Sequence, residues 1–161
     1  MDPRAIFGIS VFLSLLSSIV FAALLAWPWL QTRTRPRALL WLVSPHMFLR
    51  FIGLSFLIPG IVSASLPRAW STPAAYGDML AGILAIVATV ALARAANWSI
   101  AAVWIFNVWG AADLLFAFFR GARVQLDPGS LGAGFYIVTA LVPPLLVSHA
   151  LIFKLLMRSE R

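Results

Sequence analysis

Five long apolar stretches separated by short polar ones dominate the sequence, and a chain written this way has few folding options. They cover residues 6–30, 39–66, 77–93, 98–119 and 134–156. Spanning the hydrocarbon core of a bilayer takes about 20 apolar residues in a helix, close to the length of these runs. Residues 12–25 and 81–92 show none of the alternation of a membrane barrel strand, which directs the reading to helices.

Composition closes off the soluble alternative. Of the 161 residues, 62% are hydrophobic and 11% charged, whereas a soluble domain of roughly 150 residues keeps about a third of its unfolded surface exposed and needs charge to cover it. The expectation is an all-α, polytopic bundle of five transmembrane helices, one domain over residues 1–161, with the lipid bilayer around it. The second run contains Pro45 and Pro59 and is expected to kink.

The formal charge of +7 arises from 12 Lys and Arg against 5 acids. These bases sit mostly between the apolar runs, so they read as topology signals and contacts for anionic lipid headgroups, not as a nucleic-acid surface. Counted at alternate helix ends, Arg33, Arg35, Arg37, Arg50, Arg94, Lys154, Arg158 and Arg161 fall on one side, and Arg4, Arg68, Arg120 and Arg123 on the other. The richer side is expected to be cytoplasmic, which puts the N-terminus outside and the C-terminus inside a bacterial inner membrane. A cleaved signal peptide in the first run fits less well, because its positive charges follow the apolar stretch. With no cysteine, disulfides, iron–sulfur clusters and thiolate metal sites are excluded.

Polar groups inside the runs are the informative positions, since an ionisable side chain at the centre of a span costs about 2.5–3.5 kcal/mol and needs a partner or a wet cavity. His46 and Arg50 lie one turn apart on one helix face. Asn107 and Asp113 share the fourth run, about 120° apart around the helix. His149 lies in the fifth. Asp78 follows Gly77 at the apparent start of the third run and reads as a structural cap on free backbone N–H groups. With the runs drawn as above, His46, Arg50 and His149 fall in the cytoplasmic half and Asp78 and Asp113 in the outer half, with Asn107 between. Two polar layers are expected, with Arg50 apart from Asp113; a buried Arg50–Asp113 pair, Arg120 reaching inward, and Arg50 snorkelling to headgroups are the alternatives. Asn97 is expected to cap the fourth helix, and the row Gly77, Ala81, Ala85 to let a neighbouring helix approach.

No His-Glu-x-x-His, Gly-rich phosphate loop or Gly-x-Ser-x-Gly occurs, so enzymatic activity is neither indicated nor excluded. His46, Arg50, Asn107, Asp113 and His149 are expected to bind a small ligand or cofactor, or to pass a proton or solute. The alternatives are an accessory or scaffolding subunit, in which these groups pair helices with each other, with a second copy or with another membrane protein, and a protein binding haem b or a quinone. In the haem case His46 and His149 would be axial ligands, with Arg50 near a propionate; otherwise no metal is expected.

Several short marks recur in order: His46-x3-Arg50 with Gly53, Leu66-Pro67, Gly77-Asp78 with Gly82, Asn107-x2-Gly110-x2-Asp113-Leu114, and Pro143-Pro144 with His149. Over residues 44–153 this pattern resembles a group of small uncharacterised bacterial inner-membrane proteins. The resemblance implies a common helical bundle and carries no activity with it.

Overall fold

Each apolar run folds as a helix, but the helices begin and end where backbone chemistry, more than hydropathy, dictates. In the computed structural model of the chain, which describes residues 2–158, α1 spans Pro3–Gln31, α2 Arg35–Leu57, α3 Arg68–Ala93, α4 Ser99–Arg123 and α5 Gly134–Leu156. All five are long and apolar enough to cross a membrane. No β-strand occurs among the described residues, only an isolated bridge between Pro59 and Val62. At the start of α1, Pro3 occupies the first turn, where its missing N–H costs nothing, and the Asp2 carboxylate accepts from the Arg4 N–H at 3.1 Å. Asn97 does not cap α4: Trp98 flanks the helix and no side chain bonds its first turn.

Two boundaries differ from the hydropathy reading and move the polar residues. α2 stops at Leu57, not Leu66, because Ile58 turns extended ahead of Pro59. α3 begins at Arg68, well before Gly77, and runs through Pro73. A proline there removes the N–H that would bond the Ala69 carbonyl one turn back. Arg120 of α4 supplies the donor instead, its Nη2 bonding Ala69 O.

Prolines shape the other helices as well. π-helical segments at Ala22–Ala26 and Ile137–Leu141 lie just ahead of Pro28 and of Pro143 and Pro144. Widening the turn there relieves the clash of each ring with the carbonyl four residues back. In α2 the helix breaks at Ser44 and Pro45 and tightens to a 3-10 helix over Arg50–Leu57. With three residues per turn, every third side chain shares a face. Arg50, Gly53 and Phe56 are thereby buried together against α3.

α3 packs along α4 and against the tightened part of α2, while α5 touches α1, α2 and α4. Ala81, Gly82, Ala85 and Ala88 are buried on α3 and permit this approach, with the Phe51 ring seated on Gly82. One apolar cluster, including Leu39, Val43, Ala88, Phe106 and Ile152, fills the end carrying Arg33, Arg35, Arg37, Arg94, Lys154 and Arg158. A second, including Phe56, Leu66, Trp70, Leu131 and Val138, fills the end carrying Arg4, Arg68, Arg120 and Arg123. Arg50 belongs to neither end, which corrects its place in the topology count; Arg161 lies outside the described residues. The arginine-rich end is tied by Arg35, whose Nη2 donates to Leu156 O at 2.6 Å, and by the Lys154 ammonium over the Trp27 ring.

The surface inverts the soluble order. Phe12, Leu24, Trp41, Ile105, Leu115 and Tyr136 are exposed, whereas Arg50 is 1% exposed and heads the fully buried side chains by volume.

Candidate functional site: a buried arginine cluster below a cavity

The revised helix boundaries put six polar residues near the middle of the bundle. His46 and Arg50 stand at and just past the midpoint of α2, Asp78 near that of α3, Asn107 and Asp113 either side of that of α4, and His149 a turn beyond that of α5. They form one cluster between the two apolar ones.

Arg50 organises it. Its Nη1 donates to Asp78 Oδ1 at 2.5 Å and to Asp113 Oδ2 at 3.1 Å. Its Nη2 donates to Gly110 O at 2.5 Å and to His149 Nε2 at 3.0 Å. A guanidinium only donates, so His149 Nε2 accepts and the ring proton sits on Nδ1. Asn107 Oδ1 accepts that proton at 2.7 Å, and Asn107 Nδ2 donates to His149 O at 3.2 Å. The amide therefore fixes both the tautomer and the angle of the imidazole. Behind it, the His46 ring lies 4.6 Å from that of His149, with its Nε2 2.6 Å from Ser148 Oγ. Ser148 Oγ in turn donates to Leu145 O, which makes His46 Nε2 the donor to Ser148.

Glycines create the space. A Cβ on Gly53 would collide with the Asp78 carboxylate, one on Gly77 with that of Asp113, and one on Gly110 would lie 2.6 Å from His149 Cε1 and 2.9 Å from Arg50 Nη2. Three bare stretches of helix thus let three charged groups enter a packed interior. Two tryptophans lock the walls: Trp109 Nε1 donates to Gly77 O at 3.3 Å and Trp70 Nε1 to Ala117 O at 2.8 Å.

Three expectations are corrected by this geometry. Asp78 is an ion-paired residue in mid-helix, not a cap, because α3 starts at Arg68. Arg50 contacts Asp113, so the two are not separated. The two polar layers are one, since shortening α2 at its far end places Arg50 beyond its midpoint, level with the acids. The histidines touch each other, and Nε2 of each is bonded to protein, so no gap remains between them for a haem. The sequence does not mark Ser148 and Trp70, because hydroxyls and indoles are ordinary in apolar helices and nothing in their spacing distinguishes these two.

Beside the cluster lies a cavity of about 390 Å³. Phe7, Phe56, Trp70 and Phe118 wall it, and Asp78 and Asp113, their side chains 11% and 10% exposed, form its floor. Its lining extends to the end of the bundle, where Arg4, Ala122 and Gln125 are exposed. Among the described residues, Arg50 is the cation in contact with the two carboxylates.

A family model described as a domain of unknown function (DUF8737) matches residues 6–157. No curated protein and no solved structure matches the chain.

Proposed function

The chain belongs to the DUF8737 family, and we propose that it is a multi-pass membrane protein whose central polar cluster binds a small ligand through the end-opening cavity. The membrane part of this reading is supported by the inverted surface, in which apolar side chains face out and an arginine with two acids lies inside. In water such a surface would aggregate; in lipid it is the favourable arrangement. In a bacterial inner membrane, the asymmetry of Lys and Arg favours the arginine-rich end in the cytoplasm, where Arg33, Arg35 and Arg37 meet anionic headgroups. The cavity then faces outward.

One observation carries the ligand reading: two carboxylates share one guanidinium at the floor of a cavity of about 390 Å³. An accessory subunit that uses charge only to pair helices needs no open space beside the pair, since a void forfeits packing and water competes for the charges. A concave, largely apolar pocket with a few convergent polar groups is the usual form of a small-molecule site.

The absence of native cysteine makes the test free of background. Ala117→Cys, on the cavity wall, should react with a membrane-impermeant methanethiosulfonate reagent added outside intact cells, whereas Ala88→Cys, in the apolar cluster at the other end, should not. A folded Ala117→Cys protein that stays unmodified would overturn the reading.

A further inference from the structure

The cavity floor specifies the charge of what it takes. This inference rests on the reading of the cavity as a ligand site. Arg50 is matched against both Asp78 and Asp113 through Nη1, its Nη2 donates to Gly110 O and His149 Nε2, and its buried Nε bonds no protein group. His149 contributes no positive charge there, because its Nε2 accepts from Arg50. His46 stands behind His149, bonded to Ser148, and does not line the cavity. A cation seated on the floor favours the ionised form of both carboxylates, and the floor then carries one more negative charge than Arg50 balances. Arg4 is the other charged lining residue, but it stands exposed at the mouth, where solvent screens it.

We propose that the ligand is an organic monocation, a protonated or quaternary amine on an apolar body, with its charged head on the Asp78 and Asp113 carboxylates. A metal ion is a poor fit, because a hard cation needs about six or more oxygen ligands and the other walls of this cavity offer mainly carbon. The walls suit an amine instead. Phe7, Phe56, Trp70 and Phe118 present aromatic rings, which solvate the body of such a cation and attract its charge through their faces. An anion would be repelled by the one carboxylate charge that Arg50 does not balance, and a neutral molecule would leave that charge unmatched.

The test compares benzyltrimethylammonium with its uncharged isostere neopentylbenzene and with the anion phenylacetate, each titrated against the intact purified protein in detergent. Binding is read from tryptophan fluorescence, since Trp70 lines the site, and Ala117→Trp, which fills the cavity, reports signal arising in the micelle. The cation should bind roughly tenfold or more tighter than its neutral isostere, and phenylacetate should not saturate. Asp113→Asn, checked for folding by its melting curve, should abolish the preference while leaving neopentylbenzene within about twofold of its original affinity. Neopentylbenzene binding as tightly as the cation, with both responses lost in Ala117→Trp, would overturn the proposal and leave the cavity a ligand site for uncharged molecules. Responses to both compounds that persist in Ala117→Trp would overturn the proposal and the ligand reading together.

Discussion

Gly77 of α3 leaves vacant the space that the Asp113 carboxylate of α4 fills: a Cβ at position 77 would lie 2.7 Å from Asp113 Cγ. Glycine in mid-helix normally costs about 1 kcal/mol relative to alanine. Here that cost is offset by admitting a charged side chain to the interior. Gly77→Ala should therefore destabilise the protein by about 1–3 kcal/mol in detergent melting, against the propensity trend. Combined with Asp113→Ala, the same substitution should become neutral or stabilising. A stabilising Gly77→Ala in the native background would contradict the packing described.

The Asn107–His149 pair should be visible by nitrogen NMR. Because Arg50 donates to His149 Nε2, the imidazole proton belongs on Nδ1. A labelled sample should show a protonated Nδ1 and a bare Nε2, and Asn107→Leu should cost about 1–3 kcal/mol by leaving buried polar groups unpaired. A protonated Nε2 in the native protein would reverse the assignment.

Arg120 completes the backbone that Pro73 interrupts. Arg120→Ala should lower stability by about 0.5–1.5 kcal/mol, or more if Ala69 O is left without solvent. Pro73→Ala restores an N–H to that carbonyl, so the double variant should lose less than Arg120→Ala alone. Equal losses in both backgrounds would show that the guanidinium does not serve this carbonyl.

Topology is open to a simple reporter. Alkaline phosphatase, active only outside the cytoplasm, should be inactive when fused after Met157 and active when inserted in the loop at Asp127. The reverse pattern would turn the cavity mouth toward the cytoplasm.

The five helices were legible because hydropathy reports which segments are apolar, and the glycine, acid, arginine and histidine marks that the sequence presents are the residues that converge in space. Their convergence was not legible. Hydropathy places a helix end where polarity rises, so it starts α3 at Gly77 and overlooks the turns around Trp70 and Pro73, which contain the polar Ser71 and Thr72 and whose gap at Pro73 is bridged by Arg120. It also carried α2 to Leu66, past the point where Pro59 turns the chain. Each error shifted a charged residue in depth, and together they split one cluster into two layers. The cavity leaves no mark in the sequence, since such a space depends on how Phe7, Trp70 and Phe118 from three helices meet.

The contact between Arg50 and Asp113 supports both the single cluster and the charge of the cavity floor, and a double-mutant cycle in detergent melting tests it most directly. Arg50→Gln should cost about 3–5 kcal/mol, because two buried carboxylates then face each other without a cation. Asp113→Asn should cost less, since Asp78 still pairs with Arg50. Adding Asp113→Asn to Arg50→Gln should recover part of the loss, with a coupling above about 1 kcal/mol. Single costs that simply add, within about 0.3–0.5 kcal/mol, would contradict the account.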